Sequence, residues 1–238
     1  MDRLPIDILP QPDDTACGPT CLHAVYRYYG ETLSLESVVN EVTPLDSGGT
    51  LAVHLARHAL GRGYRAKIYT YNLHIFDPTW FDDAGVDLRE RLREQARLKA
   101  DPSLRAATDA YLDYLARGGQ IGFEPLRFRL IREHLERGRP ILTGLSATYL
   151  YGCARETGDA VLEYDDVLGV PVGHFVVLCG CDRKRREVLV ADPTADNPRF
   201  ESHLYTVGID RLVAAILLGV ITYDANLLLI EPAKEARG

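Results

Sequence analysis

Two cysteines lie four residues apart in the stretch QPDDTACGPTCL, where the sequence predicts the start of a helix. Pro19 suits a first helical turn, because the N–H that proline lacks would have no partner there. A thiolate in that turn is stabilised by free backbone N–H groups and by the positive end of the helix dipole. Cys21 lies one turn deeper, where a buried thiol behaves as a small hydrophobe. The spacing therefore predicts a nucleophile at Cys17 and a packing residue at Cys21.

A thiol nucleophile needs a base, and His174 stands in a distinctive context, GHFVVLCGCDRKRREVLVADP. This segment is typical of two strands joined by a turn. If the hairpin turns on Arg183, His174 faces Asp192, with Cβ atoms roughly 4.5–5.5 Å apart. Asp192 would then orient the imidazole and stabilise its charged form. The alternative is that Asp192 only opens the turn before Pro193.

An oxyanion site is the remaining requirement, because negative charge develops on the attacked carbonyl oxygen. Gln11 precedes Cys17 by six residues and carries an uncharged amide donor. We expect this amide and the backbone N–H of Cys17 to point at one site. Gly18 has no side chain and would let a substrate backbone approach closely.

The surrounding elements predict an α+β fold, with helices first and an antiparallel sheet afterwards. Helices are expected over residues 17–29, 35–42 (capped by Ser34), 51–60 (capped by Thr50) and 126–137, and strands over 65–71, 140–145, 173–181, 187–191 and 226–230. The last third is expected to contain few helices.

Residues 74 to about 118 have a different character, with charged helical stretches over 86–99 and 103–117. Residues 88–139 contain twelve Arg or Lys and eight Asp or Glu, a local charge of +4 in a chain of −7. We interpret this stretch as a helical insertion in a single domain spanning residues 1–238. Arg89, Arg93 and Arg97 recur at helical spacing, and they form either a solvated face or a surface for an acidic segment of substrate or partner.

Composition excludes several classes of function. A net charge of −7 and a pI near 5.5 argue against a general nucleic-acid binder. The N-terminus lacks the apolar core of a signal peptide, and the longest apolar run, residues 212–221, is about half of what crosses a bilayer. Five cysteines are too few and too odd in number for a disulfide scaffold. We expect a soluble, cytoplasmic protein with reduced thiols and no membrane span.

In chain order, Gln11, Cys17-Gly18, GHFVV (173–177) and ADP (191–193) resemble the papain-like cysteine peptidases of the bacteriocin-leader-processing, or double-glycine, type. The run LIREHLERGRPILTGLS (130–146) is similar to the helix, Gly-x-Pro and strand that precede the histidine there. The resemblance covers about residues 5–65 and 125–195. The helical insertion departs from the family pattern, and no transporter segments follow, so the chain looks closer to stand-alone relatives.

This resemblance implies a papain-like fold and gives the site residues their roles. Gln11 would be the oxyanion donor, Cys17 the nucleophile, His174 the base and Asp192 the orienting residue, while Gly18 and Gly173 would contact substrate. The implied activity is hydrolysis of a peptide or isopeptide bond through a thioester acyl-enzyme. The substrate would be a peptide or protein, and no metal or organic cofactor is needed. The basicity of the inserted helices makes acidic peptides the first expectation.

Other interpretations remain open from the residues alone. The same site could transfer the acyl group to an amine, as a transpeptidase or transglutaminase does. The scaffold could also be a catalytically silent peptide-binding module. Zinc could bind the pairs Cys17–Cys21 and Cys179–Cys181, but strand alternation puts both Cys179 and Cys181 on the face opposite His174. His54 and His58 have a metal-binding spacing, although packed or solvated histidines are favoured.

Overall fold

The computed structural model describes residues 2–45, 48–83, 85–157, 163–194 and 197–233. Within these ranges the helices are α1 (Cys17–Tyr28), α2 (Leu35–Glu41), α3 (Ala52–Gly61), α4 (Leu88–Leu98), α5 (Pro102–Ala116), α6 (Phe128–Glu136), α7 (Ala147–Tyr151) and α8 (Ile209–Leu218). The strands are β1 (Asp2–Arg3), β2 (Tyr64–Thr70), β3 (Gln120–Gly122), β4 (Ile141–Ser146), β5 (Glu156–Thr157), β6 (Glu163–Tyr164), β7 (Gly173–Asp182), β8 (Glu187–Ala191), β9 (Leu204–Gly208) and β10 (Asn226–Pro232). Short 3-10 helices span Pro78–Phe81 and Gly219–Thr222.

One large sheet organises the molecule, with strand order β3-β2-β10-β4-β7-β8-β9 and β1 paired to β7. Its pairings are antiparallel except that of β2 with β3, which is parallel. Strands β5 and β6 form a separate two-stranded sheet. The mixture of helices with an antiparallel-rich sheet confirms the predicted α+β fold.

The core lies in two clusters, one on each face of the large sheet. The first contains apolar side chains of α1, α3 and α5, and the second contains side chains of α6, α7 and α8. Successive side chains of β7 pack in alternate clusters. Phe175 and Val177 lie in the first cluster, and Val176 and Leu178 lie in the second. Strands β4 and β7 are therefore apolar on both faces, as expected for strands covered on both sides.

Helix α1 begins at Cys17, as the sequence predicts. Ala16 precedes it without a side-chain cap, and the chain leaves the helix through Gly30, whose φ is +91°. Every residue from Cys17 to Tyr26 is buried, so the helix is enclosed all round instead of presenting a single apolar stripe. This burial holds the first turn, and with it Cys17, against the sheet.

The predicted caps of the next two helices have different outcomes. Ser34 caps α2 as predicted, because its Oγ accepts the Ser37 N–H at 3.1 Å. The prediction of Thr50 as the cap of α3 is wrong. Thr50 Oγ1 donates to the Thr43 carbonyl instead, and the N–H of Ala52 donates to Asp224 Oδ1 at 3.2 Å. A side-chain carboxyl group distant in sequence, that of Asp224, thus accepts a free N–H at the start of α3.

The last third is rich in strands, as predicted, and its described residues contain one α-helix that was not predicted, α8, which covers much of the apolar run at 212–221. Leu212, Ala215 and Ile216 are buried against the sheet, and their spacing of three and four residues is that of a helix. Among helices in the described ranges, none combines the length and apolar character that crossing a bilayer requires.

The β7–β8 hairpin forms, but the predicted register is wrong. Val177 lies opposite Ala191, whereas a turn centred on Arg183 would put it opposite Leu189. The turn lies later in the chain, because Asp182 Oδ1 accepts the N–H groups of Lys184 and Arg185, and Arg186 adopts a φ of +55°.

A bulge between Leu178 and Gly180 shifts the hairpin register once more. Cys179 therefore packs in the first cluster and Cys181 in the second. The prediction that these two cysteines share a face is wrong, since the extra residue reverses the alternation after Cys179.

Candidate active site

Cys17 and His174 meet where the first turn of α1 packs against the start of β7. Both residues are 8% exposed. His174 Nε2 lies 2.9 Å from Asp192 Oδ1, and a hydrogen bond with the side chain of Cys17 also raises the pKa of His174. Because Nε2 faces the carboxylate, Nδ1 is the ring nitrogen left to face the sulfur. Three of the four predicted catalytic residues thus form one hydrogen-bonded series despite the wrong hairpin register.

Asp192 is fully buried, and its carboxylate accepts four hydrogen bonds. Oδ1 receives His174 Nε2 and the backbone N–H of Thr194, both at 2.9 Å. Oδ2 receives the hydroxyls of Tyr151 at 2.8 Å and Tyr205 at 2.5 Å. A buried carboxylate with this many donors is held in one orientation, and so is the imidazole that it contacts.

The pKa values of this pair move in the directions that stabilise an ion pair. Burial by itself would raise the pKa of Asp192, but the charge of His174 and hydrogen bonds from His174, Tyr205 and Thr194 lower it. Burial would likewise lower the pKa of His174, yet the charge of Asp192 and its hydrogen bond raise it. The imidazolium is therefore favoured at neutral pH.

Sequence reasoning missed Tyr151, Tyr205 and Thr194, which complete the surroundings of the pair. Tyr205 is on β9 opposite Val190, and Phe200 stacks on its ring at 3.6 Å. Tyr151 ends α7, which closes on Gly152 in the left-handed region with φ +69°. The Thr194 hydroxyl lies 3.2 Å from His174 Nε2. Only Thr194 carried a local signal, its position two residues after Asp192 in a predicted turn.

Gln11 reaches the same neighbourhood through its backbone. Its N–H donates to the carbonyl of Pro193, the residue after Asp192, at 3.0 Å. Its side-chain oxygen Oε1 is buried and has no hydrogen-bond partner among the described residues. The segment before α1 is thus tied to the segment after β8.

Gly18 and Gly173 both have packing reasons to lack a side chain. A Cβ at Gly18 would lie 2.6 Å from Thr50 Cγ2 and 3.3 Å from Phe175 Cδ2. A Cβ at Gly173 would lie 2.5 Å from Thr222 Oγ1. Close packing accounts for glycine at both positions, and contact with substrate stays a prediction.

The other thiols differ from Cys17 in their surroundings, and none of the five cysteines forms a disulfide. Cys21 is fully buried and its Sγ donates to the Phe175 carbonyl at 3.2 Å. Burial, followed by the nearby Cys17 and Asp192, raises the pKa of Cys21 well above its usual value. Burial also raises the pKa of Cys179, whose Sγ lies 3.7 Å from the Leu189 carbonyl oxygen. Cys21 is a packing residue, as predicted.

The polar residues weighed for other roles are engaged in local contacts. His58 lies between the Tyr26 hydroxyl at 2.8 Å and Glu41 at 3.0 Å, and His54 contacts Arg57. Arg89 is paired with Asp87, the cap of α4. In the described part of the chain, no three His, Cys, Asp or Glu side chains are grouped so that they could hold a metal ion.

Comparison with known proteins gives similarity at the level of structure. No protein-family profile and no curated protein sequence matches the chain. A Bacillus anthracis protein described as a C39-like peptidase is similar, with a TM-score of 0.50 and 16% identity over 95% of this chain and 94% of that one.

Two further structures give lower scores. The peptidase domain of Streptococcus ComA, a bi-functional ABC transporter of a quorum-sensing pathway, has a TM-score of 0.42 and 13% identity over 96% of this chain and 99% of that one. A double-glycine-motif protease from an AMS/PCAT transporter, solved in complex with the leader peptide, has a TM-score of 0.45 and 14% identity over 97% of this chain and 94% of that one. Over nearly its whole length, this chain has the papain-like fold of the Bacillus C39-like peptidase.

Proposed function

We propose that this protein is a cysteine peptidase, or a related amide hydrolase, that cleaves a peptide or isopeptide bond through a thioester acyl-enzyme. The observation that supports this most is the hydrogen-bonded series from Cys17 through His174 to the buried Asp192. A thiol beside an imidazole, which is in turn oriented by a carboxylate, is the arrangement that nucleophilic acyl transfer requires.

Before the first half-reaction the proton shared by Cys17 and His174 resides on the imidazole, and the Cys17 thiolate then attacks the substrate carbonyl carbon. The backbone N–H of Cys17 and the side-chain amide of Gln11 stabilise the oxyanion of the tetrahedral intermediate. His174 then gives its proton to the departing amine as the C–N bond breaks. The acyl group remains on Cys17 as a thioester.

In the second half-reaction His174 takes a proton from water, and the resulting hydroxide attacks the thioester carbonyl. Collapse of this intermediate breaks the C–S bond, releases a carboxylic acid and restores the Cys17 thiolate beside the protonated His174. Asp192 stays ionised throughout and stabilises the imidazolium of both steps. Its four donors keep it fixed, so little reorganisation accompanies each proton transfer.

The substrate is proposed to be a segment of peptide or protein. This follows the chemistry of the site, which needs an amide carbonyl to reach the sulfur of Cys17, a residue that is only 8% exposed. An extended backbone fits such access better than a compact folded surface does. The preference for acidic peptides stays a prediction, since Arg89 and Arg91 of the charged helix α4 are paired with Asp87 and Glu94.

Cleavage of a diverse peptide mixture in water enriched in oxygen-18 tests this proposal. Wild-type protein should yield new C-terminal carboxylates that carry the heavy oxygen, and Cys17→Ala should yield none, whereas Cys21→Ala should retain activity. New amide products without the label would favour acyl transfer to amines. Equal cleavage by the wild type and Cys17→Ala would refute the assignment of the nucleophile.

A further inference from the structure

A separate cavity of about 380 Å³ lies at the end of the sheet remote from Cys17. Arg65 of β2 and Glu231 of β10 face each other at this end of the strands. The candidate active site lies toward the opposite end, where Asn226 pairs with Gly144 and Gly144 pairs with Phe175. The cavity is within the size range of small-molecule sites. We call it the basic pocket.

Positive charge exceeds negative charge in the basic pocket. Its lining includes the cations Arg65, Lys67, Arg137 and Arg139 and the single carboxylate Glu231. The whole chain, in contrast, has a net charge of −7. The excess of cations is therefore a local feature, and it favours an anionic ligand.

Glu231 compensates only part of this charge. It forms ion pairs with Arg65 at 3.2 Å and with Arg139 at 3.1 Å. Lys67 and Arg137 have no ion pair within the described ranges, and the Lys67 ammonium instead lies 4.3 Å from the centre of the Tyr69 ring. Two cations on different walls, one from a strand and one at the end of a helix, are thus free to bind an anion.

A histidine also lines the basic pocket. His134 of α6 is 7% exposed, and its Nδ1 lies inside the protein with no hydrogen-bond partner in the part of the chain that the structure describes. Burial, and then the charges of Arg139, Arg137 and Lys67, lower its pKa to about 4. The imidazole is therefore neutral near pH 7, and three cations of the pocket lie close enough to act on its ring.

The end of α6 presents little that would repel an anion. The carbonyl of His134 accepts the N–H groups of Arg137 and Arg139, and the carbonyl of Leu135 accepts that of Gly138. These carbonyls are therefore satisfied within the chain. The hydrogen-bond donors that the basic pocket can offer to an anion are therefore the side chains of Lys67 and Arg137.

We propose that the basic pocket binds a small oxyanion with at least two negative charges, of the phosphate-monoester type. Arg137 offers a planar fork that can bind two oxygens of one phosphate, and Lys67 offers a point charge. A monoatomic anion such as chloride cannot span both groups. The proposal is independent of the peptidase activity, because no residue of the pocket belongs to the candidate active site.

An NMR titration of the full chain with inorganic phosphate tests this site at pH 7.5 and constant ionic strength. The probes are the ring signals of the seven histidines, with His134 assigned from the signal that is missing in His134→Asn. Phosphate should shift the His134 signal selectively and saturably, whereas the same ionic strength of chloride should not. Lys67→Gln/Arg137→Gln should weaken phosphate binding by roughly tenfold or more, since each substitution removes a charge-assisted hydrogen bond.

The matched control is Arg93→Gln/Arg105→Gln, which removes two exposed positive charges of α4 and α5 and should bind phosphate as the wild type does. Unchanged melting temperatures establish that both double variants fold, and Lys67→Gln alone provides the milder second test. A shift that chloride reproduces, that does not saturate, or that persists in Lys67→Gln/Arg137→Gln would overturn the proposal.

Discussion

Two buried carboxyl groups in this molecule, those of Asp192 and Asp224, have pKa values that their surroundings shift in opposite directions. Asp192 is 0% exposed and Asp224 is 6% exposed. The pKa of Asp192 lies below its usual value, whereas burial raises the pKa of Asp224 to about 7. Asp192 faces the imidazole of His174, while Asp224, among the described residues, accepts only the N–H of Ala52 and the amide of Asn226.

The difference lies in the type of donor more than in the extent of burial. Neutral donors at Asp224 offset only part of the desolvation penalty, so the protonated form is favoured near neutral pH. At Asp192 the charge of His174 and the hydrogen bonds from His174, Tyr205 and Thr194 outweigh burial and lower the pKa. Asp192 can therefore stay ionised beside a reacting histidine, whereas Asp224 acts as a structural contact between α3 and the start of β10.

The largest expected effect comes from removing the imidazole. His174→Ala should lower the peptidase rate by roughly 10³-fold or more, because the thiol loses its base. It should also raise the pKa of Asp192, which then resembles Asp224, and carboxyl NMR of labelled aspartate measures this. Asp224→Asn is the matched control at the other buried acid, and its rate should stay within a few-fold of wild type. A similar loss of rate in both variants would contradict the distinction.

The next effect comes from neutralising the orienting carboxylate. Asp192→Asn keeps the shape but removes the charge that raises the pKa of His174. The rate should fall by roughly 10²-fold or more. The alkaline limb of the pH–rate profile should also move to lower pH, since the imidazolium is lost at lower pH. A profile with its alkaline limb unmoved would show that Asp192 does not set the charge state of His174.

A smaller effect is expected from one tyrosine hydroxyl. Tyr205→Phe removes a donor to Asp192 Oδ2 and should lower the free energy of unfolding at pH 7 by about 1–3 kcal/mol. The depressed pKa of Asp192 adds stability above its unfolded-state value, which is lost as pH falls through the folded-state value. The folded-state pKa rises in Tyr205→Phe, so acid denaturation should begin at higher pH. Tyr149→Phe, at a 43% exposed tyrosine, is the control and should leave the acid transition unchanged.

The smallest effect concerns Asp224 and stability alone. Its folded-state pKa of about 7 exceeds the unfolded value, so the folded state binds more protons between about pH 4 and 7 and stability falls as pH rises through that range. Asp224→Asn removes this proton uptake and keeps an acceptor for Ala52 and Asn226. Its free energy of unfolding at pH 8 should exceed that of wild type by about 1–2 kcal/mol, with little difference at pH 4. Urea denaturation at the two pH values measures this, and parallel curves would contradict the assigned pKa.

The sequence predicts the parts of the site that local patterns determine. The start of α1 follows from Gly18-Pro19, and strands β7 and β8 follow from their apolar runs on either side of a predicted turn. The hairpin arithmetic brought His174 and Asp192 together for the wrong reason. The turn lies later than Arg183 and a bulge shifts the register again, so the two side chains meet across a diagonal. A bulge leaves no reliable mark in a single sequence.

The parts that depend on contacts distant in sequence could not be predicted. Tyr205 reaches Asp192 only because β9 pairs with β8, and Tyr151 only because α7 turns back at Gly152. The Asp224 contact with Ala52 joins residues 172 positions apart. The basic pocket likewise gathers residues of β2, α6 and β10, which no local pattern connects.

The most direct test of the account is the alkylation rate of Cys17 at pH 6, measured by peptide mass analysis in wild type and in His174→Ala. Cys153 is the internal reference, because it is more exposed than Cys17 and burial raises its pKa. The account predicts that Cys17 reacts well ahead of Cys153 in the wild type and loses this advantage in His174→Ala. Equal rates at the two thiols in the wild type, or a Cys17 rate that His174→Ala leaves unchanged, would contradict it.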